Sequence, residues 1–128
     1  MFMKKIKVMC GGCFNRIHKG HVYFLKKAKS LGDELIISLA HDNINKRKYG
    51  KAALSGRIRK RNLEKLKIAD KILLGDPKDR MKVVLKERPD IIALGHDQKM
   101  PELRNLRNIE RKIRKKIKIV RIDEYDVD

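Results

Sequence analysis

Gly11-Gly12-Cys13-Phe14-Asn15-Arg16-Ile17-His18-Lys19-Gly20-His21 decides how the rest of the chain is read. An apolar run, residues 6–10, precedes it, and a helix-like segment, residues 22–31, follows. A strand, a Gly-rich turn and a helix start are the ingredients of a phosphate site. Glycines let the backbone approach an anion, and a helix N-terminus offers unpaired N–H groups with partial positive charge. His18 and His21 lie three residues apart at that start, so both face one turn.

Outward from this stretch, residues 5–9 alternate into a short strand. A helix is expected over 19–31, with Val22, Leu25, Ala28 and Leu31 in a stripe and Gly32 placed to end it. Residues 34–40 form a nearly continuous apolar strand, which suits a parallel sheet covered on both faces. His41 and Asp42 fall at its end. Residues 43–55 are polar and basic and read as a mobile connection. A helix is expected over 57–68 and a strand over 70–74, then a helix over 80–87 and the strand Ile91–Leu94. Pro101 opens a basic helix to about residue 114, and a last strand covers 117–122.

Strand and helix alternate throughout, which implies a parallel sheet with helices on both faces. The fold class is α/β, a Rossmann-like three-layer sandwich with a five-stranded parallel sheet, in one domain over 1–128. Ligands of such sheets bind at the carboxyl ends of the strands. The Gly turn, His41-Asp42 and Gly95-His96-Asp97-Gln98 all follow strands, so they should meet on one edge of the sheet.

The 128 residues include 34 basic and 16 acidic ones, a net charge of +18. This fits either a nucleic-acid binder or a phosphate-handling enzyme with a Lys-rich surface. Three Tyr, three Phe and no Trp supply single-strand stacking poorly, so nucleic-acid affinity is expected to be incidental. No apolar run reaches the ~20 residues that span a bilayer. The start has no secretory pattern, and a cytoplasmic location is expected. Cys10 and Cys13 make a C-x-x-C pair, read as a buried strand-end thiol beside a loop thiol, with no second pair for a metal.

Gly12 to His21 resembles the G-T-F-D-x-x-H-x-G-H signature of the cytidylyltransferase-like nucleotidyltransferases. Gly75-Asp76-Pro77 and Ala93 to Gln98 are most similar to segments of the archaeal FAD synthetase branch. The resemblance implies transfer of a nucleotidyl group from a nucleoside triphosphate, ATP or CTP with Mg2+, to a small phosphate-bearing acceptor, with release of pyrophosphate. FMN adenylylation is the best match and glycerol-phosphate cytidylylation the next. A catalytically impaired nucleotide binder is a third reading.

The resemblance also implies site residues. His18, His21, Lys46 and Arg59 would be catalytic, the last two bringing positive charge to the triphosphate. Gly12, Cys13, Phe14, His18, Gly20, His21, Gly95 and Asp97 would hold the nucleotide, and Asn15 and Asp42 the acceptor. No protein metal ligand is assigned, and a homodimer is expected. Cys13 and Asn15 stand where family members usually have Thr and Asp. Residues 123–128 lack the I-S-S-T-x-x-R helix start with which members follow their last strand, and the cysteine-containing tail of archaeal FAD synthetases.

Overall fold

The computed structural model describes residues 4–79, 81–100 and 103–125. Five strands form one sheet: β1 (Lys7–Gly12), β2 (Glu34–Leu39), β3 (Lys71–Leu74), β4 (Ile91–Leu94) and β5 (Lys118–Arg121). Their order is β3-β2-β1-β4-β5, and every neighbouring pair is parallel. Between them run helices α1 (Lys19–Ser30), α2 (Asp42–Tyr49), α3 (Gly56–Glu64), α4 (Lys82–Glu87) and α5 (Leu103–Ile113).

The period-2 pleat sorts the strand side chains into two cores. Val8, Cys10, Leu35, Ile37 and Leu39 face Leu25 and Ala28 of α1 and Leu63 of α3. Met9, Ile36, Ile92 and Leu94 face Val83 and Val84 of α4 and Leu106, Ile109 and Ile113 of α5. Helix, sheet and helix thus make the three-layer arrangement expected. Each large apolar side chain so buried contributes roughly 1.5–3 kcal/mol. On α5 the apolar stripe turns inward, and Arg104, Arg107, Arg111 and Lys112 stay exposed. Much of the positive charge is therefore a solvated helix face. No helix among the described residues is long and apolar enough to cross a membrane.

The elements differ from the sequence expectation in instructive places. Strand β1 continues through Gly11 and Gly12, which pair with Ser38 and Leu39. A side chain at Gly11 would stand 3.3 Å from the Ser38 carbonyl. Residues 43–55 are not a mobile connection: α2 and a 3₁₀ turn, Gly50–Ala52, fill most of them. Only Asn45 of α2 is fully buried, so the helix lacks an apolar stripe that would reveal it. Helix α3 ends at Glu64 instead of running to 68, because the next turn tightens and Lys67 adopts φ 55°. Arg80, Pro101 and Glu102, at the expected starts of α4 and α5, lie outside the described residues.

Candidate active site

A cavity of ≈ 1380 Å³ runs across the carboxyl ends of the strands, and the Gly turn, His41 and residues 95–98 all line it. A hollow of ≈ 470 Å³ lies at the opposite end of the sheet beside Lys29, Asp70 and Lys71. Two ion pairs lie there, Lys29 with Asp70 and Lys71 with Glu87.

His18 is the N-cap of α1. Its Nδ1 accepts from the Gly20 amide at 3.1 Å, while His21 Nδ1 accepts from the His18 amide at 3.3 Å. Two imidazoles here do the work of Ser and Glu in a capping box. An Nδ1 that accepts carries no proton, so each neutral ring holds its proton on Nε2. The rings stack with centroids 3.8 Å apart. Burial and the neighbouring His18 lower the pKa of His21, and the Arg16 backbone opposes them. The intervening Gly20 is required by packing, since a Cβ there would stand 2.9 Å from His18 Cε1. Phe14 adopts φ 47°, a left-handed conformation rare for an aromatic residue. Its buried ring lies 5.2 Å from His21 and 3.2 Å from where a Gly12 Cβ would be.

At the end of β2 the same device recurs. His41 caps α2, its Nδ1 accepting from the Asn43 amide at 3.2 Å. His41, Ile44 and Lys48 follow at helical spacing and line the cavity. Lys46, expected to reach the triphosphate, is exposed on α2 and absent from the cavity wall. Lys48, on another face of the same helix, does line it.

Three residues expected at the substrate, of which Asp42 is half exposed, make hydrogen bonds within the protein. Arg59 is fully buried. Its Nε donates to Leu54 O at 3.0 Å, Nη1 to Cys13 O at 2.9 Å and Nη2 to Asp42 Oδ1 at 2.8 Å. Asp42 Oδ1 also accepts from the Gly56 amide, and Asp42 is absent from the cavity wall. Asn15 is buried too. Its Oδ1 accepts from Leu54 N and Asn45 Nδ2, and its Nδ2 donates to Ala52 O at 3.1 Å. A carboxylate in its place would have no donor for that carbonyl. Arg59, Asp42 and Asn15 therefore join the Gly turn to the α2–α3 segment.

Gly12, Cys13, Phe14, His18, Gly20, His21, Gly95 and Asp97, the residues expected to hold a nucleotide, all line the cavity. At the end of β4, Gln98 Oε1 accepts from Gly95 N and its Nε2 donates to Gly11 O, both at 2.8 Å. Acidic and basic side chains alternate along the cavity wall: Asp97, Asp123 and Glu124 with His96 and Lys99 beside β4 and β5, and Asp76 and Asp79 with His41, Lys48 and Lys78 beside β2 and β3. Burial pushes the Cys10 thiol up to about 12, too high for a reactive thiolate at neutral pH. Cys10 and Cys13 are both free. No cluster of three metal-ligating side chains occurs among the described residues.

Stacked imidazole donors at a helix start, in a crevice over the ends of a parallel sheet, define a group-transfer enzyme that handles phosphates. Comparison with known proteins gives the kind. The model of the family described as Cytidylyltransferase-like matches residues 9–126. FAD synthase of Aciduliprofundum boonei is 42% identical over 123 residues, covering 94% of this chain and 80% of that protein. FAD synthase of Pyrococcus abyssi is 36% identical over 121 residues, covering 93% and 81%. A solved structure, a lipopolysaccharide core biosynthesis protein from Thermoplasma volcanium, superimposes with TM-score 0.83 at 40% identity, covering 96% of this chain and all of that one. A pantoate-beta-alanine ligase from Francisella tularensis shares the fold alone, with TM-score 0.65 at 14% identity over 99% of this chain and 62% of that one. The chain belongs to the Cytidylyltransferase-like family and is a nucleotidyltransferase.

Proposed function

We propose that the chain is a cytoplasmic FMN adenylyltransferase, forming FAD and pyrophosphate from ATP and FMN. Its 42% identity to an archaeal FAD synthase along nearly the whole chain carries the choice of substrates. An FMN phosphate oxygen attacks the α-phosphorus of ATP. One P–O bond forms, the bond to the α–β bridging oxygen breaks, and pyrophosphate leaves. The acceptor is already a nucleophile, so alignment and charge stabilisation are what the protein supplies. His18 and His21 offer Nε2–H donors to the phosphates as charge builds on the leaving oxygen. Lys48 adds a cation. Arg59, Asp42 and Asn15 act behind them by fixing the Gly turn.

The dianionic FMN phosphate can meet His41, Lys48 and Lys78 on the cavity wall. Mg2+ keeps most of its water shell and needs only one or two carboxylates besides substrate phosphates. Exposed Asp97 on the cavity wall, without a surrounding cluster, fits that demand. The ion would neutralise the triphosphate. Exposed Ile58 and Leu74 on α3 and β3 support a homodimer.

Incubation with ATP or CTP and a panel of phosphate acceptors tests the activity, with FAD and pyrophosphate released in equal amounts as the expected result. Turnover only with CTP and glycerol phosphate would overturn it.

A further inference from the structure

Helix α5 buries Leu106, Ile109 and Ile113 against the sheet. At 3.6 residues per turn, Arg104, Arg107 and Arg111 fall within about 60° of one another, on the side opposite that stripe. All three are exposed, and Asn108 beside them accepts from Arg111 Nη2 at 3.0 Å. None of the three enters an ion pair among the described residues. Glu110, the one carboxylate of the helix, is turned to the Ile117 amide at 2.7 Å.

This row does not serve the helix. Arg104 stands in its first turn, which has no acidic residue, and a cation there opposes the helix dipole. Arg107 and Arg111 are like charges four residues apart, which destabilises a helix. Nor does the row serve the cavity, from whose wall all three arginines are absent. A chain with a net charge of +18 needs no further cations for solubility. A polyanion outside the protein would offset each of these repulsions.

The chemistry of the face narrows the polyanion. Helix α5 carries no aromatic ring on which the bases of a single strand could stack. A helix that binds a membrane surface inserts its apolar side, whereas α5 has turned that side to the sheet and leaves only Leu103 of its apolar residues exposed. Guanidinium groups pair with phosphate oxygens two bonds at a time. Arg104 and Arg111 lie about 10 Å apart along the helix axis, close to the width of about 12 Å of the major groove of B-form DNA. The two ends of the row can thus reach phosphates on both walls of that groove. The major groove of duplex RNA is too narrow for side chains to enter.

We propose that the outward face of α5 is a docking surface for double-stranded DNA, gripped at the phosphates that flank the major groove and without regard to sequence. This surface lies apart from the nucleotidyl-transfer site and does not depend on which nucleotide is the substrate.

Fluorescence anisotropy with a short labelled DNA duplex, repeated over a range of KCl concentrations, tests the assignment. Each lost phosphate contact removes about 0.9 from the slope of log affinity against log salt concentration, so R104Q/R107Q/R111Q should flatten the slope by about 2.7. Its affinity at physiological salt should fall at least tenfold. K26Q/K60Q/R61Q removes the same charge from exposed positions of α1 and α3, on the other side of the sheet, and should lose less than threefold. R104K/R107K/R111K keeps the charges and should stay within fivefold of wild type, which separates loss of charge from loss of fold. FAD formation by R104Q/R107Q/R111Q should match that of wild type. No detectable duplex binding by wild type would overturn the surface, as would an equal loss in the α1 and α3 variant. Equal or tighter binding of wild type to duplex RNA or to phosphatidylserine vesicles would overturn the choice of DNA. FAD formation that falls together with DNA affinity would place the row in the substrate site and refute a separate surface. Row-dependent DNA binding by a wild type that forms no FAD would leave the surface standing and refute FMN adenylylation.

Discussion

Arg59 separates two ways of using a cation near a triphosphate. A cation that grips substrate is dispensable for folding, whereas one that holds the protein together is not. Replacing Arg59 with Met keeps most of the aliphatic stem and deletes the three hydrogen bonds. Leu54 O keeps the Asn45 amide as a partner. Asp42 is half exposed and keeps the Gly56 amide, so water covers its loss at little cost. Cys13 O loses its guanidinium donor, which costs about 1–3 kcal/mol for a buried acceptor. Adding the lost packing of a buried cation, the total is about 2–4 kcal/mol. At roughly 4 °C per kcal/mol for a domain of this size, the midpoint of thermal unfolding should fall by about 8–16 °C. Circular dichroism melting, run beside the FAD-forming assay, gives both readouts. Arg59→Lys can reach only part of the network and should recover little. A variant that melts within 2 °C of wild type yet has lost all activity would refute the buried-network account, since that is how a phosphate-gripping arginine behaves.

Gly20→Ala should lower kcat/KM at least tenfold, about 1.4 kcal/mol of transition-state stabilisation, because its Cβ displaces the His18 ring. The melting temperature should change little, since the about 1 kcal/mol by which Ala favours a helix over Gly offsets the about 1 kcal/mol lost with the His18 cap. Lys48→Met should reduce kcat/KM by a factor of ten or more, and Lys46→Met by less than threefold, in parallel steady-state assays. The pH dependence follows from His21, whose folded pKa lies below the ordinary 6.5. Between those two values the unfolded chain binds more protons, so stability falls as the solution is acidified through that window. The urea midpoint should decline from pH 7.5 to pH 5, and less steeply in His21→Asn, which keeps a capping acceptor and removes the titration.

The layers were legible because apolar side chains recur with the right period. Leu35, Ile36, Ile37 and Leu39 announce a strand buried on both faces, and Leu106, Ile109 and Ile113 announce a helix with one dry side. From the strand ends, the common edge for the Gly turn, His41 and Gly95 follows by topology alone. What escaped is the polar interior. Asn15, Asn45 and Arg59 belong to residue types that normally face water, and nothing in their spacing says that Asn45 pairs with Asn15 or Arg59 with Cys13 O. The same omission hid α2, which buries an asparagine where a helix would ordinarily bury a leucine. Lys46 came from the resemblance, whereas the helix places Lys48, two residues away and on another face, on the cavity wall. Cys13 illustrates a further limit. Its identity looked like a departure from the family, yet the atom that Arg59 grips is its backbone oxygen, which every residue type carries.

Gln98 carries a consequence for substrate choice. In the sheet order, the chain reverses direction of winding between β1 and β4, and their pairing extends only as far as Met9 and Ile92. Beyond that point the strands part, and a side-chain amide bridges the gap with one donor and one acceptor, as a peptide group would. The bottom of the crevice is therefore a replaceable tile. Its depth is set by a single side chain, not by the backbone. The shorter amide of Asn at position 98 could not span both Gly95 N and Gly11 O and would lower the floor.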